Sequence, residues 1–573
     1  MDGHLIRPQG ASFAVRAARA LARGLGGIAR AGPIHQMRLK GRHPLKLLSS
    51  PDTPFEGSAG RGQLILEGKF FRAGQEVRAE PNEVWNIAEK ATPDFFDWLH
   101  GFSWLEDLAA LENEAAARTA AEDLVRSWAE IYHSYDRAAW RPDLAGVRVV
   151  NWTVYAPLIL SSADLVYRSL VLNSLARQGR HLAIAWMRAP EGPARAKALL
   201  GLAASGALLP EGEARLAKAL SALERLCRDF VLADGGPRSR SVAEIAEFVH
   251  CLVLLRVILE DRHEEVPAWL QLTLDKIIPF LKAMTHGDQS AARFGDFVVV
   301  RPYPAKQLQK YTRTRGGPIS NATLTGYLRL QQGKSLLLLD VGTPPQGAVS
   351  AGAAASTLSI ELSEASERLI VNGVCPPEFD EQTGEAAKAW LQRTEAHSTL
   401  VLGNRDSTTI QRSSRLGQGV NETRFERNEN EDGIWVDAVH NGYRQKFGYK
   451  HHRRLFLNAE GTDLRGEDRL EPAPEGWRNI FGRRKPIAVA VYFQLHPDVT
   501  ASLTQEGKVA ILRLASNKGW MFKVRSGGIE IEDGVFFDGP GFGVKTSRIV
   551  VRAQTGPQGL VLNWSFKRIG SRE

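Results

Sequence analysis

The chain has 573 residues, 43% of them hydrophobic and 24% charged, the proportions of a folded protein long enough for two or three domains. Its formal charge is +9, but residues 1–50 hold nine Arg and Lys against the single acid Asp2, so the rest of the chain is nearly balanced, which excludes a general nucleic-acid-binding surface. Three cysteines, Cys227, Cys251 and Cys375, are too few for a disulfide framework, and no apolar run approaches the roughly 18 residues of a membrane span.

The segment 1–60 reads as a basic, partly ordered arm. Ala11–Ala31 is rich in Ala, Arg and Gly and lacks a continuous apolar stretch, so a secretory signal peptide is not supported and the sequence alone reads as cytoplasmic. At helical spacing Phe13, Ala17, Leu21, Leu25 and Ile28 fall near one side with Arg16, Arg19, Arg23 and Arg30 across from them, the pattern of a helix lying on acidic lipid. Gly24, Gly26 and Gly27 weaken a helix there, and a solvated arm is the competing reading of residues 1–50. The lead-in that follows contains one strand-like piece, Gln63–Leu66.

From Asn82 the pattern is helical and rich in Trp: Trp85, Trp98, Trp104, Trp128, Trp140, Trp152 and Trp186 either pack helix against helix or line a groove where sugar rings stack. In residues 212–231, Leu216, Leu220, Leu223, Cys227 and Phe230 recur at three- and four-residue steps, a clear amphipathic helix. Val242–Leu259 is apolar nearly all round and should be central, with Cys251 as a small buried thiol; Pro267–Met284 gives a further helix. Periodicity makes residues 61–295 a helical bundle or an incomplete α/α toroid.

After Phe297 the helical period disappears. Leu358, Ile360 and Leu362 alternate with Ser359, Glu361 and Ser363, the period of two of a strand with one apolar face. A dozen such runs between Leu324 and Ala553, with Asp432-Gly433, Asn441-Gly442 and Asp533-Gly534 as turn signals, make residues 296–573 an antiparallel β-sandwich. The fold class is therefore multidomain α + β, a helical domain followed by a sandwich.

The run STLSIELSEASERLIVNG followed by AHSTL resembles the C-terminal β-domain of the heparinase II/III-like polysaccharide lyases. HGFSWLEDL (His100–Leu108), LADGGPRSRS (Leu232–Ser241), HGD (His286–Asp288), Gly442–Leu470 and FQLHPDV (Phe493–Val499) agree with that family in order, from about residue 60 to the C-terminus. The resemblance favours the toroid over a simple bundle. It implies β-elimination on a uronic-acid-containing glycan, with an acidic polysaccharide as partner and the periplasm or cell envelope as location.

Such a reaction needs a group that neutralises the uronate carboxylate, a base for the C5 proton and an acid for the departing O4. The resemblance offers Tyr443 and His397 as catalytic candidates, and Arg238, Arg240, Asn372, His286, His451 and His452 as substrate-binding candidates; His496 is a further one. His451 and His452 are adjacent on a strand, so at most one faces a shared site. The chain departs from the family twice. Pro237 stands after the two glycines where relatives carry His or Asn, and Ala354 stands where they carry His. Asn372 replaces an acid in the turn, so of three ligand positions only His397 survives, and one His does not hold a zinc; no metal or other cofactor is expected. Two functions follow: a lyase working by metal-free β-elimination, or a catalytically degenerate lyase-fold protein that binds glycan or acts as a scaffold.

Overall fold

The computed structural model describes residues 4–6, 33–42, 44–81, 83–88, 91–295, 310–379, 384–473, 485–504, 507–537, 543–556 and 558–570. The Phe13–Ile28 face of the basic arm lies outside the described residues.

The helices of the first half start where side chains cap them. Asn113 accepts from the N–H of Ala116 to open Glu114–Ile131, and Asp164 accepts from Val166 and Tyr167 to open Leu165–Ala185. Ser241 accepts from the N–H of Glu244 at the head of Val242–Asp261, with the Ser-x-x-Glu spacing of a capping box. Val242–Asp261 is buried nearly all round, as its composition requires, and it packs on Pro193–Ala207, which also contacts Pro142–Val154, Leu165–Ala185 and Glu213–Phe230. Its Ala- and Gly-rich sequence allows this close approach: a Cβ on Gly201 would lie 2.4 Å from the Cα of Gly146 in the facing helix. Trp85, Trp104, Trp128, Trp140 and Trp152 are fully buried, and Trp128 meets Trp152 edge-on at 5.5 Å. These rings pack helix on helix and do not line a groove. All three cysteines are buried and free. Among the described residues no helix is long and apolar enough to cross a membrane.

Two local expectations are corrected. Gln63–Leu66 is not a strand but the end of the helix Ala59–Leu66, which Asp107 staples in place by accepting from the N–H of Ser58 at 2.8 Å and from Arg61 at 2.8 and 3.0 Å. Gly62 fits there because a Cβ would come within 2.3 Å of the Asp107 carbonyl. Asp533-Gly534 is not a hairpin turn either; it lies within a ten-residue strand, where a Cβ on Gly534 would sit 2.6 Å from Val374 of a neighbouring strand.

Strands are numbered in chain order. β1 (His4–Ile6) and the hairpin β2 (Lys69–Arg72) and β3 (Gln75–Arg78) precede the strand-rich half. That half contains β4 (Asn321–Ala322), β5 (Tyr327–Gln332), β6 (Ser335–Asp340), β7 (Ile360–Glu364), β8 (Glu367–Val371), β9 (Val374–Cys375), β10 (Leu400–Leu402), β11 (Thr408–Ile410) and β12 (Leu416–Gly419). It continues with β13 (Thr423–Asn430), β14 (Gly433–His440), β15 (Tyr449–Asn458), β16 (Asp463–Pro472), β17 (Ala488–Leu495), β18 (Thr500–Thr504), β19 (Val509–Arg513), β20 (Gly519–Val524), β21 (Gly528–Phe537), β22 (Gly543–Gln554) and β23 (Leu560–Arg568).

A ten-stranded sheet has the order β4-β5-β6-β7-β8-β17-β22-β21-β9, with β10 on β17; a nine-stranded sheet has the order β1-β13-β14-β15-β16-β23-β20-β19-β18. Their facing sides share one apolar cluster, with Leu337, Ile360, Leu362 and Phe493 from one sheet and Val436, Leu455, Phe522 and Phe566 from the other. The opposite side of the ten-stranded sheet lies against the helices, since Tyr327, Leu336 and Leu338 belong to the helical core. The molecule is an incomplete α/α toroid and a β-sandwich stacked in three layers: helices, ten-stranded sheet, nine-stranded sheet.

Candidate functional site

The loop Asp234-Gly235-Gly236 joins the two halves. Asp234 accepts from the N–H groups of Leu324 and Thr325 at 2.8 and 2.7 Å and from the Thr325 hydroxyl at 2.8 Å. The glycines follow from that docking: Gly235 has φ +86°, and a Cβ on Gly236 would lie 2.0 Å from Thr325 Oγ1. Pro237 is buried in a bridge to Val231. Arg240 is buried too, with its guanidinium paired to Asp340, donating to the carbonyls of Thr325 at 2.6 Å and Thr343 at 3.3 Å, and lying 4.8 Å over the Tyr327 ring. Burial pulls its pKa down, but Asp340 more than reverses this, so the charge is held. Arg238 is exposed, and its guanidinium makes a 3.4 Å contact to the Asp229 carbonyl.

A second polar cluster lies on the helix-facing side of β7, built by the alternation that sends Ile360 and Leu362 into the sandwich. His286 Nε2 donates to Glu361 at 2.8 Å, and its Nδ1 faces the Ser363 hydroxyl at 2.8 Å. The other Glu361 oxygen accepts from the backbone N–H of Arg293 at 3.0 Å and from Asn372 Nδ2 at 3.2 Å; Asn372 Oδ1 in turn accepts from the N–H of Ser398 at 2.8 Å. His397 is fully buried next to these groups, with Nδ1 2.9 Å from the Arg393 carbonyl; burial pulls its pKa down to about 4, against the pull of that carbonyl and of the Asp340 and Glu361 charges.

The remaining candidates lie elsewhere. Tyr443 is buried in the sandwich core and donates to the Leu400 carbonyl at 2.9 Å; burial raises its pKa well above the phenol range. His451 points inward and His452 outward, where it pairs with Glu471 at 2.7 Å. His451 belongs to a chain whose proton order is fixed. The N–H of Gly442 donates to His440 Nδ1 at 3.0 Å, so His440 Nε2 donates to His451 Nδ1 at 3.2 Å and His451 Nε2 donates to Asp468 at 2.8 Å. Burial holds both imidazoles below their ordinary pKa, in keeping with this neutral pair. Asp468 also accepts two bonds from Arg453, at 2.7 and 2.9 Å, and one from the Trp564 indole at 2.8 Å. Gly466 makes room for that indole, since a Cβ there would lie 2.1 Å from the ring.

Residues 314–565 match the family model described as heparinase II/III-like, C-terminal. The chain is also 30% identical over 550 residues to FtsZ-localized protein C of Caulobacter vibrioides, an alignment covering 94% of this chain and 92% of that one. A solved heparinase III structure superposes with a TM-score of 0.63 over 90% of this chain and 85% of the other, at 14% identity. The chain belongs to the heparinase II/III-like family. A structure of a heparan sulfate lyase mutant from Pedobacter heparinus agrees, with a TM-score of 0.61, 14% identity, and 99% and 93% of the two chains covered. At that identity the solved lyases speak for the fold alone.

This heparinase II/III-like chain thus gathers Arg240, His286, Asn372 and His397 at the junction of helices and sheet, keeps Tyr443 and His451 inside the sandwich, and leaves Arg238 and His452 on the outside. A cavity of about 400 Å³ opens at one end of the sandwich, lined by Asp288, Glu367, Arg368, His496, Asp498 and Phe536 among others; of the candidates, only His496 reaches it. Among the described residues no group of three or more His, Cys, Asp and Glu side chains is placed to hold a metal ion. Sequence reasoning did not single out Asp234, Asp340, Glu361, Arg453 or Asp468 as site residues. Glu361 carried the one usable signal, an acid on the polar face of an otherwise apolar strand.

Proposed function

We propose that this heparinase II/III-like protein works by binding and not by β-elimination, as a lyase-fold scaffold that localizes with FtsZ. The observation that carries this is the inward orientation of the proton-carrying candidates: Tyr443 is buried and donates to Leu400, and His397, buried and held to about 4, is a weak base for a C5 proton at neutral pH. Pro237 and Ala354, where relatives carry His or Asn, remove two further polar groups. The near full-length likeness to a protein named for its localization with FtsZ supports that partner. In this reading the basic segment 1–50 contacts an acidic lipid surface, which vesicle pelleting with and without residues 1–50 tests.

Two assays decide the matter. The purified chain is expected to sediment with FtsZ polymers, and to generate no ultraviolet-absorbing unsaturated uronate on a panel of acidic polysaccharides. Product on any of them overturns the reading in favour of metal-free β-elimination on a uronic-acid glycan. That second reading is favoured by the meeting of Arg240, His286, Asn372 and His397 at one junction.

A further inference from the structure

The solvent side of the nine-stranded sheet carries an aromatic feature that neither the fold nor the junction uses. Trp435 on β14 and Phe456 on β15 are direct cross-strand partners with ring centroids 4.3 Å apart. Phe456 is covered, with 8% of its surface open, by Trp435 on one side and Arg465 on the other, whose guanidinium carbon lies 5.9 Å from the ring centre. Trp435 is 42% exposed and is the only exposed tryptophan among the described residues; the other described tryptophans are buried or half-buried. A large apolar ring left open on a sheet face, where a smaller polar residue would complete the alternation equally well, calls for an occupant.

The surroundings say which. One register row runs Asn428, Trp435, Phe456, Arg465 and Ser565, and the next runs Glu426, Asp437, Arg454 and Glu467. Asn428 and Arg465 therefore border the aromatic pair at one strand spacing, about 4.8 Å, and Asp437 and Arg454 lie two residues along the strands, roughly 6.8 Å away. Arg454 pairs with Asp437 at 2.7 Å and Arg465 with Asp463 at 2.7 Å, which leaves Glu426 and Glu467 in excess on this face. Paired charges this close leave no charge-free apolar core of the kind a protein interface needs, and no net positive field for a uronate or sulfate. An uncharged pyranose fits both conditions, because its C–H face stacks on indole while its rim hydroxyls bond to carboxylate, amide and guanidinium.

We propose that the Trp435–Phe456 pair is a stacking platform for one ring of an uncharged glycan, a hexose or N-acetylhexosamine unit, with Asn428, Asp437 and Arg465 bonding its hydroxyls. This deepens the binding reading above by naming a ligand class and a site on the face away from the helices.

The test titrates the full chain by calorimetry with an N-acetylglucosamine hexamer, a glucose hexamer and a heparin-derived hexasaccharide. The chain is expected to bind at least one uncharged hexamer with a dissociation constant of about 0.1–1 mM, with little dependence on salt, and the charged one more weakly. Trp435→Ala is expected to weaken binding at least tenfold while Trp435→Phe keeps it within about threefold, both with melting temperatures within about 4 °C of the parent. Equal binding by Trp435→Ala, no binding of either uncharged hexamer by the folded parent, or tighter and salt-sensitive binding of the heparin fragment each overturns the proposal. Sedimentation with FtsZ polymers is scored separately on the same variants, so failure here leaves the scaffold reading standing.

Discussion

Arg240 and Asp340, a hundred residues apart in the chain, form a buried ion pair where the helical half meets β6. The guanidinium also donates to the backbone carbonyls of Thr325 and Thr343, and Asp340 accepts from the Ser356 hydroxyl at 2.8 Å. Removing one partner leaves the other charge buried and unmatched. Arg240→Ala is expected to destabilise the fold by about 3–5 kcal/mol, whereas Arg238→Ala, two residues away and exposed, should stay within about 0.5 kcal/mol. Urea denaturation of the two variants side by side checks the contrast.

Tyr443→Phe separates the two functions. With the hydroxyl donating to the Leu400 carbonyl at 2.9 Å and lying 3.5 Å from that of Arg405, the substitution should cost about 1 kcal/mol of stability and leave glycan and FtsZ binding intact. If Tyr443 were the proton donor of a lyase, product formation would collapse while stability barely moved.

Acid should weaken the fold through its buried histidines. Burial lowers the pKa of His397 to about 4, and of His100 and His181 to about 3, from an ordinary 6.5. Below 6.5 the unfolded chain takes up protons at these positions that the folded chain refuses, so stability is full above that pH and falls on acidification towards 4. Each histidine contributes a slope of about 1.4 kcal/mol per pH unit in that window. Urea midpoints between pH 7 and 5 should show the fall, and His397→Asn should remove one proton's worth of it. A flat profile would sink the assignment of these groups as buried and neutral.

Asp468 holds the interior of the sandwich together through Arg453, His451 and Trp564. Arg453 reaches across the core to the carbonyls of Leu358 and Ser398, both at 2.8 Å, so the network ties one sheet to the other. Asp468→Asn leaves Arg453 without its counter-charge and should cost about 3–5 kcal/mol, whereas Arg454→Ala on the outer face should be close to neutral. Thermal melts of both variants give the comparison.

Much of the architecture was legible because one period dominated each half. The three- and four-residue steps of Leu216 to Phe230 and the alternation of Ile360 and Leu362 with Glu361 and Ser363 recur in the structure as helix and strand. Strands β13 and β16 carry no such signal, because TRFERNEN and DLRGEDRLEP put charged side chains on their solvent face, leaving few apolar residues to betray the period. The junction was harder still. His286 stood out in its motif, but its partner Glu361 lies 75 residues on, and only the stacking of sheet on helices brings them together. In HHRRLF the pattern misleads: His451 and Arg453 face the core, where apolar residues are the rule, because Asp468 from the next strand accepts from His451 and neutralises Arg453.

The helices grip the ten-stranded sheet at Asp234, Arg240 and His286, each by a charged or ring side chain reaching a fixed partner on the other half. Prising the halves apart would strand all three sets at once, each leaving a buried or part-buried polar group without its partner. A force applied to either half is therefore borne by all three contacts together.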